Sequence, residues 1–507
     1  MKIWQDLVKT AVVGTQRQKL KIVAQDNQLD EVLSGLDTND KEACLLSAAG
    51  TIYLYQKAGQ STAIDSQKSL STCNLDDLPY CSQVSEQHLG MMLSGGYIGF
   101  LPEWLTLLAE TKKVVSPKYL PELLKLGILQ HHWRKYILPV LGKRGIWLAA
   151  QNPEWNYALA ENADKIWKNG SLEARKKLLK ELRQSDAEKG RRQLNNILSK
   201  EKAKERASLL ETLEVSLSAD DIKFLEEALE DRSKLVRDVA ARLLAQIPES
   251  KLVQRMIERV RPLLSLDGNG IEVELPKKFT LEMIQDGIDE SKYIPSLGEK
   301  ASLLLQMLAC VPPSIWSNDW KKTPDELISI IENSKWKKLF LEAWATAAIR
   351  SKDIVWSEAL LKSSNTFYQN SNRIDLIVKM LKVIPEFQVQ TLILNVLNKS
   401  NTLPFNSASP AYSLLINTPY IWSEEISKII ISSIKNSVEN NIQVNNWQFG
   451  SALGSYAAKI APSIYPEASE ILKFEESENI QESIVMSIDK FLDKLKFRFE
   501  MKQALKS

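Results

Sequence analysis

An arginine followed by aliphatic residues three, four and seven positions further on occurs three times at a spacing of 31 residues. The copies are Arg175 with Leu178, Leu179 and Leu182, Arg206 with Leu209, Leu210 and Leu213, and Arg237 with Ala240, Ala241 and Leu244. These offsets fall on one face of an α-helix, so each segment is an apolar stripe edged by an arginine. The period leaves room for a second helix and two turns. A unit this short cannot bury its stripe alone, whereas stacked neighbours can, and the stack exposes a long surface suited to binding partners. The spacing therefore predicts an all-α chain with a helical repeat array over residues 166–266.

The third copy carries a longer pattern: Asp231-Arg232-Ser233-Lys234-Leu235-Val236-Arg237, then Ala240, Ala241 and Leu244, then Ile247-Pro248. It resembles the second helix of a HEAT-like (armadillo-type) repeat, which implies an α-α superhelix, or solenoid. By that resemblance Asp231, Val236 and Arg237 are structural residues of the repeat, and Asp231 and Arg237 carry a pairing between neighbouring repeats. The earlier copies have Asn169 and Lys200 where the aspartate would sit, so a continuous Asp–Arg ladder is not expected. With the flanking segments Gly142 to Trp155 and Val311 to Trp316, the array resembles an uncharacterised bacterial family of HEAT-like proteins. That family is associated with gene neighbourhoods holding MoxR-type AAA+ ATPases and von Willebrand A-domain proteins. The resemblance implies these as partners and brings no catalytic residue with it.

At 507 residues the chain exceeds what one core usually organises, and breaks in the pattern divide it. Residues 1–165 read as a helical N-terminal domain with a Ser/Thr/Asp-rich polar loop at 60–85. After the array, residues 267–278 read as a short strand-like insert, in which Gly268-Asn269-Gly270 turns into the alternating run Ile271 to Leu275. Residues 267–507 then continue as a helical, degenerate repeat-like region, cut into pairs by Asn/Ser-rich interruptions at 363–372 and 398–410. Thr323-Pro324-Asp325-Glu326 marks one helix start through an N-cap hydroxyl, a first-turn proline and a glutamate placed to close a capping box.

Function classes narrow by elimination. The 44% hydrophobic and 25% charged composition with net charge +2 excludes a chain that is disordered or basic throughout, so any nucleic-acid footprint is local. Four cysteines without a CxxC pair predict neither a disulfide framework nor a zinc ribbon, and fit a reducing cytoplasm. No leader is read at the N-terminus and no run reaches the roughly 18 apolar residues of a membrane span, so no membrane role is expected.

No catalytic, cofactor or metal site is expected either. The adjacent His131 and His132 diverge on any helix, and Cys73, Cys81 and His88 are spaced too widely for a zinc knuckle. Gly95, Gly96 and Gly99 match no phosphate loop and read as helix termination, and Ser94 lacks the preceding glycine of a nucleophile elbow. Trp336, Phe340 and Trp344 stack on one helix face and read as core, with an aromatic docking groove as the alternative that exposure of Trp336 decides. The strongest charge feature spans residues 165–200, where eleven Lys/Arg face four acids. Lys176, Lys177, Lys180, Arg183, Lys189, Arg191 and Arg192 are its candidate partner-binding residues. The expected function is a non-enzymatic scaffold or adaptor for protein partners, with nucleic-acid binding through this cluster as the alternative.

Overall fold

The structure is a computed structural model. It describes residues 2–20, 27–58, 72–159, 166–167, 170–268, 270–292, 294, 296–363, 374–399, 404–407, 409–439, 446–474 and 481–506. Nearly all of its regular structure is helical, and the chain divides into two compact units, Met1–Asn74 and Leu75–Ser507. The smaller unit packs helices Lys2–Val13 and Asn27–Ser34 against Lys41–Ala58. Its core is Ile3, Leu7, Leu29, Leu33, Ala48 and Ile52, residues three or four apart on each helix. The division falls at Asn74, inside the stretch read from sequence as one domain over 1–165, because the helices after residue 82 build a separate core around Trp104, Leu123 and Val140. Of the polar loop at 60–85, residues 60–71 lie outside the described residues, and helix Gln83–Leu93 already begins within its last positions.

In the larger unit the Arg-led segments lie on alternate helices, Leu172–Ser185, Ala203–Leu210 with its 3-10 extension Glu211–Glu214, and Lys234–Leu244. The intervening helices are Ala187–Leu198, Ile222–Ala228 and Lys251–Val260. Their starts are set by local chemistry: Ser171, Asp186 and Ser250 each accept a backbone N–H of the following first turn. Leu179, Leu209, Leu210, Leu213, Ala240 and Leu244 of the stripes are fully buried.

The same core runs without a break from Leu179 to Leu495, so residue 267 is not a core boundary. The strand-like insert is half of a hairpin: β1 (Leu264–Asp267) pairs antiparallel with β2 (Gly270–Val273) in the register Leu264 to Val273 and Leu266 to Ile271. Leu264 and Ile271 are buried in this core, which joins the helices before the hairpin to the helices after it. Helix pairs continue through Glu299–Leu308, Pro324–Ile331, Lys337–Ser351 and Ile354–Ser363 to Asn446–Tyr456 and Tyr465–Ile471. The capping box at Thr323 forms in both directions, Glu326 N–H donating to the Thr323 hydroxyl and Thr323 N–H to the Glu326 carboxylate. The two Asn/Ser-rich interruptions fall largely outside the described residues, between helices ending at Ser363 and Lys399 and helices beginning at Ile374 and Pro410.

The last helix, Glu482–Lys506, packs on Asn446–Tyr456 and also on Gln83–Leu93 and Leu101–Glu110, joining the first and last helices of the larger unit. Arg498 is its anchor: wholly buried, it forks onto Glu103 at 2.9 and 3.0 Å and donates to the carbonyls of Ala457 and Ile460. Phe497 stacks on Tyr97 with centroids 3.9 Å apart. Among the described residues no helix is long and apolar enough to cross a membrane.

Candidate functional site

The segment after β2 is pinned to neighbouring helices at three points. The Asp286 carboxylate lies 2.6 Å from Arg255 and 2.5 Å from Arg259, both on helix Lys251–Val260. Gly287, at φ +80°, lays its backbone on helix Lys234–Leu244 so closely that a Cβ there would sit 2.6 Å from the Ala241 Cβ. Only glycine meets both demands. Asp289 accepts a 2.8 Å ion pair from Lys234 and a 2.7 Å bond from the Ser291 hydroxyl, and its own N–H donates to the Gln306 amide oxygen. The Lys234 ammonium, followed by the Ser291 hydroxyl, holds the Asp289 carboxyl down at about 2.

Beyond this pinned turn lies a cleft of about 360 Å³ between helices Lys234–Leu244, Glu299–Leu308 and Lys337–Ser351. Asp238 and Arg242 line it from the first helix, Lys292 from the turn, Gln306 and Cys310 from the second helix and its end, and Thr346 and Arg350 from the third. The Gln306 amide N–H donates to the Asp289 carbonyl and the Thr346 hydroxyl to the Glu342 carbonyl. Cys310 is half-buried, its thiol donating to the Gln306 carbonyl at 3.4 Å and its sulfur accepting from Arg350 at 3.2 Å. The polar groups left facing the cleft are chiefly donors, and the floor between them is apolar, from Val239 and Ala245 to Leu305 and Ala309.

The cations proposed from sequence separate into two groups. Arg183 is buried, its guanidinium bidentate on Asp221 at 2.7 and 3.0 Å and donating to the carbonyls of Ala187, Val215 and Ser216. Gly190 on the facing helix makes room for it, since a Cβ there would lie 2.7 Å from the Arg183 Cδ. Arg191 pairs with the same Asp221 at 2.8 Å. Both are internal ties and leave the surface patch. Lys176, Lys177 and Arg192 pair with Glu173, Glu181 and Glu188 on their own helices. Lys180 and Lys189 are exposed, with no ion pair among the described residues.

The arginines heading the three copies behave alike up to the last. Arg175 pairs with Glu201 and Arg206 forks onto Asp231 at 2.8 and 3.0 Å, each reaching an acid ahead of the next copy. The acid for Arg175 is thus Glu201, one place beyond the Lys200 singled out by alignment; Asn169 lies outside the described residues. Burial pushes the Asp231 carboxyl up, and the Arg206 fork overrides it, holding the group below its usual value. Arg237 does not pair with the Asp231 carboxylate. It donates to the Asp231 backbone carbonyl at 2.7 Å, as Arg206 does to that of Glu201. Val236 is fully buried.

Of the stripe, Phe340 and Trp344 are buried in the core, where Trp316 and Trp356 also pack, while Trp336 is half-buried and borders a second cleft of about 530 Å³ with Ser265, Glu272, Glu274 and Lys335. Gly95, at φ +103°, ends helix Gln83–Leu93, its N–H donating to Met92. His131 and His132 lie exposed in a 3-10 turn, and His88 is buried with Nδ1 against the Val84 carbonyl. Among the described residues no group of three or more His, Cys, Asp or Glu is placed to hold a metal ion.

The sequence comparisons are sparse. A family described as a family of unknown function, DUF5691, matches residues 6–505. No curated protein and no solved structure matches.

Proposed function

The chain belongs to the DUF5691 family over almost its whole length, and we propose that it acts as a non-enzymatic scaffold or adaptor. In this reading the larger unit is a HEAT-like α-α superhelix that binds protein partners in the cytoplasm. The observation that carries the reading is the cleft shared by helices Lys234–Leu244, Glu299–Leu308 and Lys337–Ser351: helices far apart in sequence present one preformed concave surface. Stacked helix pairs generate such surfaces as a by-product of burying their stripes. The inter-copy pairs Arg175–Glu201 and Arg206–Asp231 support it, since they tie neighbouring units together. The partner class comes from the sequence resemblance: a MoxR-type AAA+ ATPase, with a von Willebrand A-domain protein.

Nucleic-acid binding ranks second because Arg183 and Arg191 are committed inside the fold, leaving Lys180, Lys189 and Lys200 as the unpaired surface cations of that cluster among the described residues. Affinity purification of the tagged full chain from its own cells tests both readings. The ATPase and A-domain protein should be retained after nuclease treatment. Loss of all protein partners on nuclease treatment, or steeply salt-dependent gel shifts with DNA or RNA, would replace the scaffold with a nucleic-acid binder.

A further inference from the structure

Arg350 differs from most of the arginines that tie these helices together, Arg237 on the Asp231 carbonyl being the exception. Arg175, Arg183, Arg191, Arg206, Arg255 and Arg259 each have a carboxylate partner. Arg350 is half-buried, yet among the described residues its guanidinium meets only neutral acceptors, the Ala309 carbonyl at 2.9 Å and the Cys310 sulfur at 3.2 Å, both through Nη1. A guanidinium presents five donors in a fixed fork, so most of its donating capacity faces the cleft. A charge partly withdrawn from water without a counter-ion is costly to keep, and a carboxylate that completes the fork relieves that cost.

The surroundings define what can complete it. Lys292 stands on the rim with its side chain 61% exposed and its ammonium 3.9 Å from Asp289, a carboxylate it shares with Lys234, so among the described residues Arg350 is the cation of the cleft that lacks a carboxylate. The carboxylate of Asp286 is neutralised by Arg255 and Arg259, and Arg242 is shared with Glu211 and Glu214. Asp238 is the acid that remains, which disfavours a multiply charged anion and tolerates a single carboxylate. The apolar floor asks for an aliphatic side chain beside that carboxylate, and the volume fits a few side chains. The pinning of Asp286, Gly287 and Asp289 keeps the cleft formed before anything binds.

We propose that this cleft is a recognition site for an acidic peptide segment of a partner protein, a Glu or Asp carboxylate seating on Arg350 with a neighbouring aliphatic side chain on the apolar floor. The proposal rests on the scaffold reading and names the chemistry of its partner.

A fluorescently labelled peptide alternating Glu and Leu, its Gln/Leu counterpart, and inorganic phosphate and acetate as competitors test it by anisotropy with the full chain. The Glu peptide should bind and the Gln peptide bind about tenfold more weakly or not at all. Arg350→Gln should weaken the Glu peptide by about tenfold, with partial recovery in Arg350→Lys. Lys292→Gln removes a rim charge that sits 3.9 Å from Asp289; it should weaken the peptide less than Arg350→Gln does and flatten the salt dependence, with an unchanged denaturation midpoint as the control for the fold. Equal affinity for the Gln peptide, no binding of the Glu peptide, or indifference to both Arg350→Gln and Lys292→Gln overturns the site. Displacement by phosphate at a lower concentration than acetate reassigns it to a small anion. The Arg350→Gln chain in the affinity purification separates the two readings: partners retained by it and by the wild type leave the scaffold standing and remove the cleft. Peptide binding without any retained partner does the reverse.

Discussion

Asp221 accepts two guanidinium groups in an interior where its own side chain and that of Arg183 are fully buried. Breaking such a pair from one side strands a charge away from water, which typically costs about 3–5 kcal/mol. Arg183→Met should therefore lower the denaturation midpoint far more than Arg192→Met, whose partner Glu188 is exposed; equal effects in chemical denaturation would contradict the assignment. Asp289 makes a pH-dependent contribution. Its folded value of about 2 lies below the ordinary 3.8, so the stabilisation is fully present above about pH 4 and disappears as pH falls through 2. Because Lys234 is half-exposed, the expected loss in Asp289→Asn is about 1 kcal/mol at neutral pH, shrinking toward zero by pH 2; a difference independent of pH would assign the cost to something else. At this scale the sequence was legible by type and not by destination. Arg183 stands four residues after Leu179, on the apolar face, and Gly190 sits in the middle of a charged helix to receive it; counting charges along the chain overlooks both signals.

Elements were legible where their causes are local. Thr323 and Glu326 close their capping box within one turn, and the Arg-led stripes need only the helical period. The hairpin was half-legible: the alternation of Ile271 to Leu275 marks β2, whereas β1 passes for the end of the helical array until its register with β2 is seen. The turn carrying Asp286 to Asp289 is where an element-scale change should act on function. Gly287→Ala puts a Cβ on the Ala241 methyl and forces alanine to φ +80°, which together cost about 1–3 kcal/mol. Adding Ala241→Gly relieves the contact and leaves the dihedral strain, so the double variant should recover part of the loss. Full recovery would show that the close contact alone matters, and no recovery that the dihedral alone does. If the cleft is preformed by this turn, Gly287→Ala should also weaken the Glu peptide while Arg350 is untouched.

At the scale of the larger unit, the contact that fixes its topology joins residues 395 apart in sequence, Arg498 and Glu103, and no local pattern announces it. The helix Glu482–Lys506 shows only a weakly amphipathic surface because it is packed on two sides, against Asn446–Tyr456 and Tyr465–Ile471 on one and Gln83–Leu93 and Leu101–Glu110 on the other. Arg498→Met removes the fork to Glu103 and the donors to Ala457 and Ile460, leaving two carbonyls and a carboxylate with fewer partners. The expected cost is about 3 kcal/mol or more. It should be felt at both ends of the unit together: backbone amide exchange should accelerate in Leu101–Glu110 and in Asn446–Ile471, while the helices from Leu172 to Val260 keep their protection. Combining Arg498→Met with Glu103→Leu should recover part of the stability, since an apolar pair no longer strands a charge. Acceleration confined to Glu482–Lys506 would mean that this helix is an appendage. Coupled acceleration of the two distant segments would identify it as the element through which the beginning and the end of the unit stabilise each other.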